Sequence, residues 1–144
     1  HVVTRRQRQM CIRDRKNMQP WTSLLARIFL SAIFIKSGIG KIFSGASTQQ
    51  YMESSGVPGW LLIPTIIVLL IGGLSVLMGY KARYGALVLV GFLIPATLIF
   101  HNVFIEPAQE VAFMKNLGLM GGLLMVTAFG PGRISFDEKS TYSN

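Results

Sequence analysis

The sequence predicts an all-α integral membrane protein, a four-helix bundle, from three observations. The 144 residues are 51% hydrophobic and only 14% charged, whereas soluble domains carry about 25% charged residues. Four stretches are long and apolar enough to cross a bilayer core of about 30 Å, which takes about 20 helical residues. Each stretch is apolar on all sides, so no polar face remains to cover a water-soluble bundle. We predict spans at residues 21–43, 60–79, 84–104 and 111–129.

The basic composition does not by itself predict a nucleic-acid-binding protein. The net charge is +8, but six of the 14 Lys and Arg residues fall within residues 1–17, which show no hydrophobic period. We interpret residues 1–17 as a non-native or disordered segment and residues 18–144 as a single four-span membrane domain. A polybasic arm that contacts anionic lipid is the alternative. No nucleic-acid partner is expected, because little basic surplus remains outside this segment.

The distribution of basic residues predicts that both termini lie in the cytoplasm. An even number of spans places both termini on one side, and Lys and Arg concentrate on the cytoplasmic side of membrane proteins. The side that carries the termini holds Arg27, Lys81, Arg83, Arg133 and Lys139, and the opposite side holds Lys41 and Lys115.

The first outer loop is predicted to form a short amphipathic helix. Ser47 can cap the start of this helix, with Gln50 returning a hydrogen bond to the backbone of the cap residue. Gly56 supplies a left-handed stop, and Pro58 prevents continuation. Because an amphipathic helix lies along the membrane surface, its side chains divide between the bilayer edge and water. We expect Tyr51 and Met52 at the bilayer edge, and Gln49 and Glu53 in water.

Small residues predict close helix packing inside this bundle. Gly118 and Gly122 form a GxxxG motif in the fourth span, and Gly72 and Gly73 form a flat patch in the second. Such residues let helix backbones approach in a membrane, where lipid provides no hydrophobic drive between helices. We expect contacts within one bundle, and a dimer face is the alternative. Pro95 predicts a kink in the third span.

Charged side chains inside the first span are functional candidates, because a charge within a bilayer is costly. Arg27 lies about 9 Å into the span and Lys41 near its outer end, at a rise of about 1.5 Å per residue. At about 100° per residue, these two share a face and Lys36 points the opposite way. We expect Arg27 and Lys41 to face the bundle and Lys36 to reach headgroups or a partner. Snorkelling of Arg27 to the inner interface is the alternative.

The densest polar set is predicted at the outer end of the third and fourth spans. The His101 imidazole there can cap structure, handle protons or donate a hydrogen bond to a quinone carbonyl. The sequence contains neither CxxC nor CxxCH, so we expect no thiol redox site, no covalently bound cofactor and no metal site. We assign no catalytic residue. The candidate cofactor-binding cluster is Arg27, Lys41, His101, Asn102, Lys115 and Asn116.

Several short motifs occur in order between residues 24 and 137. They include SGIGKI at residues 37–42, QQYME at 49–53, FHN at 100–102 and FMKNL at 113–117. Together they resemble the DoxX family of small bacterial inner-membrane proteins. The resemblance implies a four-helix inner-membrane protein, and some members are associated with quinone-linked sulfur oxidation or with complexes that resist oxidative stress. Many relatives carry a glutamate where this chain has Leu69, so we expect no role that depends on that carboxylate.

The resemblance and the polar cluster together predict an accessory or anchoring subunit of a quinone-linked or oxidative-stress redox system. We expect it in the inner (plasma) membrane, without catalytic activity of its own. Quinone is the expected non-covalent ligand, the bilayer and a membrane or soluble oxidoreductase are the expected partners, and homo-oligomerisation is left open. One alternative is a subunit of a small anion or metabolite transporter, with a path lined by Arg27 and Lys41. The other alternative is a purely structural membrane protein.

Overall fold

The computed structural model describes residues 2–102 and 104–137, and this part of the chain contains helices and turns but no strand. Four helices are long and apolar enough to cross a membrane, which confirms the predicted all-α, four-span architecture in a lipid bilayer. The spanning helices are α1 (Val2–Phe43), α3 (Leu62–Met78), α4 (Ala82–Phe100) and α5 (Glu110–Phe129), and the short helix α2 covers Gly45–Ser54. Two 3-10 turns, Gly59–Leu61 and Pro107–Gln109, precede α3 and α5.

The first helix extends much further than the predicted span. It begins at Val2, so residues 2–17 are helical. They contain neither Gly nor Pro and are rich in Arg and Gln, which have high helix propensity. Residues 4–17 are exposed along their whole length. Whether this segment is native, and whether the membrane domain begins at residue 18, stays a prediction.

The short helix α2 begins earlier than predicted, because α1 continues almost directly into it. Ser44 is the only break, and its backbone carbonyl accepts from the backbone N–H of Thr48. The predicted cap Ser47 lies inside α2, where its Oγ donates to Ser44 O at 3.0 Å. The predicted stop is confirmed: Gly56 has a φ of +80°, and the Val57 N–H donates to Met52 O at 2.9 Å. This pattern is a Schellman C-cap.

The bundle is built by sequential packing of α1 on α3, α3 on α4, and α4 on α5. Gly72 and Gly73 lie between helices, as predicted. A Cβ at Gly72 would lie 2.7 Å from Leu89 Cγ on α4, and one at Gly73 would lie 2.9 Å from Ile35 Cγ1 on α1. The centre of the bundle is an apolar core that includes Phe34, Leu69, Val76, Leu89, Leu93 and Leu123.

Only one of the two glycines in the GxxxG motif of the fourth span packs against another described helix. A Cβ at Gly122 would lie 2.9 Å from Leu30 Cδ2, which is where α5 touches α1. A Cβ at Gly118 would meet no atom within 4 Å, so the predicted packing at Gly118 is wrong within this single chain. Gly118 lies about one turn nearer the α4–α5 loop, next to Leu119, which lines the cavity described below.

Candidate functional site

A cavity of about 280 Å³ lies at the end of the bundle that carries α2 and the α4–α5 loop, hereafter the loop end. All five helices contribute to its wall, which is mostly apolar. Four of the predicted cluster residues line it, namely Lys41, His101, Lys115 and Asn116. Its aromatic walls are Phe34, Tyr51, Phe92 and Phe100, and its remaining polar residues are Ser37, Thr48 and Thr65.

The helix α2 covers the cavity. Met52 is buried, and the Tyr51 ring stacks on Phe100 with centroids 5.4 Å apart and planes at 27°. Both residues line the cavity. The predicted placement against lipid is wrong for the buried Met52, whereas Tyr51 remains 52% exposed. The absence of a side chain at Gly59 allows α2 to pack this closely, because a Cβ there would lie 2.6 Å from Gln49 Cγ.

The polar side chains of the cavity are mainly hydrogen-bond donors. Lys41 Nζ donates to Ser37 Oγ at 3.3 Å, and the buried Asn116 Nδ2 donates to Thr97 Oγ1 at 3.1 Å. His101 Nδ1 pairs with Gln109 Oε1 at 3.0 Å, which leaves Nε2 for another partner. No Asp or Glu is among the described residues that line the cavity, so the charge of Lys41 meets no carboxylate there.

Arg27 is not part of this cluster. It faces the bundle, as predicted, but it lies at the opposite end, about 21 Å along α1 from Lys41. The side chain is 1% exposed and does not snorkel to the surface. Its Nη1 donates to Leu77 O at 3.0 Å and to Val76 O at 3.4 Å, and its Nη2 donates to Ile134 O. The guanidinium therefore joins the last turn of α3 to the chain that follows α5.

The segment that follows α5, hereafter the tail, crosses this second end of the bundle, hereafter the tail end. Ser23 Oγ donates to Pro131 O at 2.9 Å, and the Asp137 N–H donates to Gly79 O at 3.0 Å. The Asp137 carboxylate accepts from the backbone N–H groups of Lys81 and Ala82 at 2.7 and 3.1 Å. An acidic side chain in this position caps α4 and complements its dipole. The tail thus ties α1, α3 and α4 together.

The remaining predicted residues have simpler surroundings. Asn102 does not line the cavity, and its Oδ1 accepts from the Phe104 N–H at 3.0 Å within the α4–α5 loop. Lys36 is exposed on the outer face of α1, as predicted. The aromatic walls at Phe34, Phe92 and Phe100 were not predicted, because apolar rings inside a hydrophobic span give no sequence signal that separates a cavity wall from a core.

Comparisons with known proteins identify one family and several relatives. The family model described as DoxX matches residues 22–102. Inner membrane protein YqjF of Escherichia coli K12 is 42% identical over 123 residues, which cover 85% of this chain and 95% of that protein. Inner membrane protein YphA of the same organism is 29% identical over 128 residues, which cover 84% of this chain and 91% of that protein. The Surfeit locus protein 4 homolog of Drosophila melanogaster is 37% identical over 87 residues, which cover 55% of this chain and 32% of that protein. No solved structure matches significantly.

Proposed function

Since this chain belongs to the DoxX family and is a multi-pass protein of the bacterial inner membrane, we propose that it is an accessory or anchoring subunit of a quinone-linked or oxidative-stress redox system. The observation that carries the proposal is the loop-end cavity, which combines aromatic walls with a small set of donors. In this role the chain holds a quinone ring and presents it to an oxidoreductase partner at the loop end.

The dimensions and chemistry of the cavity fit a quinone ring. Its volume of about 280 Å³ lies just below the range for small-molecule sites, about 300–1,000 Å³, and suits one ring rather than a nucleotide. The Tyr51 and Phe100 rings offer flat surfaces for stacking. Lys41 and Asn116 can donate to carbonyl oxygens, which accept hydrogen bonds.

The chain's own contribution in this proposal is binding and orientation. A bound quinone supplies the capacity to accept electrons and protons. Lys41 and Asn116 donate to its carbonyl oxygens and fix the ring, and α2 covers the cavity and limits the access of water. No catalytic step is assigned to a residue of this chain, so the electrons come from the partner oxidoreductase.

The geometry favours this role over an anion path through the bundle. Such a path needs a cavity that connects Lys41 with Arg27. The cavity lining does not include Arg27, whose guanidinium is engaged with backbone carbonyls at the tail end. Between the two ends, the helices close at Gly72, Gly73 and Gly122.

Quinone content after purification tests the ligand. The protein is purified in mild detergent from bacterial membranes, extracted with organic solvent, and assayed for quinone per chain. We expect close to one quinone per chain for the unaltered protein. Lys41→Met is expected to lower the retained quinone by about tenfold, because a hydrogen bond to a charged group contributes about 1.5–3 kcal/mol.

The matched control is Lys36→Met, which removes the same charge from the same helix on its exposed face. It should retain as much quinone as the unaltered protein. A protein that carries no quinone, or equal retention in both variants, would contradict the quinone site. The partner is tested separately by cross-linking in membranes, where recovery of an identified oxidoreductase supports the accessory role and its absence argues against it.

A further inference from the structure

A second pocket lies at the tail end, between the start of α4, the end of α5 and the tail. Its volume is about 440 Å³. We propose that this pocket, hereafter the basic pocket, binds the phosphate group of an anionic phospholipid. It is separate from the loop-end cavity and takes no part in the proposed quinone site. The residues that line it are Lys81, Arg83, Tyr84, Phe129, Gly130, Pro131, Gly132, Arg133 and Asp137.

The charge of the basic pocket favours an anion. Lys81, Arg83 and Arg133 contribute three positive charges, and Asp137 is the one carboxylate among the described lining residues. The Asp137 oxygens accept from the backbone N–H groups of Lys81 and Ala82, so this carboxylate is directed at the start of α4. Among the described residues of the pocket, positive side chains therefore outnumber negative ones by three to one.

The backbone of the tail turns close to the Arg83 guanidinium and leaves space for it. Gly130 and Gly132 have φ values of +79° and +88°, which turn the chain sharply after α5. A Cβ at Gly130 would lie 3.2 Å from both Nε and Nη2 of Arg83, so the absence of a side chain there leaves room for the guanidinium. A planar guanidinium presents paired donors whose geometry matches the oxygens of a phosphate.

The flanking aromatic residues place the pocket at the depth of lipid headgroups. Tyr84 is 73% exposed near the start of α4, and Phe129 is 75% exposed at the end of α5. Exposed aromatic rings at the ends of spanning helices lie preferentially at the membrane–water interface. A phosphate at this depth belongs to a lipid rather than to the aqueous solution. Basic pockets between spanning helices at this level are suited to anionic headgroups.

Native mass spectrometry of the full chain in detergent tests the proposal. The protein is exposed to equal amounts of phosphatidylglycerol and phosphatidylcholine, which differ in net charge but share the phosphate and the acyl chains. We expect preferential retention of phosphatidylglycerol. The double variant Arg83→Gln/Arg133→Gln should weaken its retention by roughly 25-fold, since each surface cation contributes about fivefold.

Two further single-residue variants test the proposal without relying on the fold of the double variant. Arg133→Gln alone alters an exposed side chain and should weaken phosphatidylglycerol binding by about fivefold, even if the double variant is poorly folded. Lys115→Gln removes an exposed cation at the loop end, outside the basic pocket, and should leave binding unchanged. Equal retention of the two lipids by the unaltered protein, or equal losses in Arg133→Gln and Lys115→Gln, would overturn the proposal. Displacement of the lipid by millimolar inorganic phosphate would assign the pocket to free phosphate instead and would also overturn it.

Discussion

At the scale of single residues, Arg27 is the largest fully buried side chain in the described part of the protein. Its guanidinium is buried, and it donates to two carbonyls at the end of α3 and to one in the tail. The last carbonyls of a helix have no partner within the helix, and a cation near them also complements the helix dipole. Arg27 therefore supports the joining of α1, α3 and the tail, rather than a ligand site.

Replacing Arg27 should destabilise the bundle. Arg27→Met removes the donors and leaves buried carbonyls unpaired, and we expect a loss of about 3 kcal/mol, typical of breaking a buried charged interaction. Thermal unfolding in detergent, followed by intrinsic tryptophan fluorescence, measures the change. Lys36→Met is the control on the exposed face of the same helix. If both variants unfold at the same temperature as the unaltered protein, the tail-end role of Arg27 is wrong.

Gly79 is the residue that makes room for Arg27. Its φ is +70°, and a Cβ there would lie 2.6 Å from Arg27 Nη1. Gly79→Ala should therefore lower the stability by about 1–3 kcal/mol through backbone strain, with further loss from displacement of the guanidinium. The control is Gly91→Ala, where a Cβ meets no atom within 4 Å and where Ala favours the helix by roughly 0.5–1 kcal/mol. Equal unfolding temperatures for the two variants would refute this account.

At the scale of elements, α2 carries part of the cavity wall and, unlike α1, α3, α4 and α5, is too short to cross the membrane. Its attachment includes the Tyr51–Phe100 stack, the buried Met52 side chain and the close approach permitted by Gly59. A short helix held by these few contacts is expected to open more readily than the spanning helices. Such opening would admit a ligand to the loop-end cavity.

Loss of the aromatic stack should loosen α2 specifically. Tyr51→Ala removes a contact of about 0.5–1.5 kcal/mol, so the backbone amides of α2 should exchange with solvent several-fold faster, while those of α3 remain unchanged. Hydrogen–deuterium exchange with mass spectrometry in detergent measures both helices. Tyr80→Ala, which removes an exposed tyrosine outside the cavity lining, is the comparison. Unchanged exchange in α2 would show that the stack does not hold the helix.

At the scale of the whole molecule, the two ends of the bundle differ. The tail end is closed by Arg27, Gly79 and Asp137, which connect helices that are distant in sequence. The loop end encloses the cavity that we propose as the quinone site, and the tail end carries the basic pocket. The proposed quinone site and partner surface therefore lie at the loop end, and the proposed lipid site lies at the tail end.

The predicted orientation decides which side of the membrane each end faces. The concentration of basic residues near the tail end predicts that both termini are cytoplasmic. A green fluorescent protein fused after Asn144 should therefore fluoresce, whereas an alkaline phosphatase fused there should be inactive because it remains in the cytoplasm. The opposite pair of results would place the loop end in the cytoplasm and reverse the assignment of both sites.

The sequence by itself determined the fold class, the four spans and the family, because these depend on properties that act locally. Apolar stretches such as residues 60–79 must be helical in a bilayer, since each buried backbone group needs a partner within its own segment. The left-handed stop at Gly56 was predictable for the same reason, as it depends only on residues within one turn.

Only the tertiary structure decided which polar residues meet. Arg27 and Lys41 share a helix face, but the carbonyls that engage Arg27 belong to α3 and the tail, more than 45 positions away in sequence. Met52 was expected against lipid, yet its side chain is buried because α2 folds over the bundle and makes it part of the cavity wall. Gly118 and Gly122 share one motif, but only Gly122 has a neighbour within the chain. In each case the outcome depends on how the helices pack against one another. The spacing of apolar residues within one helix does not indicate which other helix packs against it.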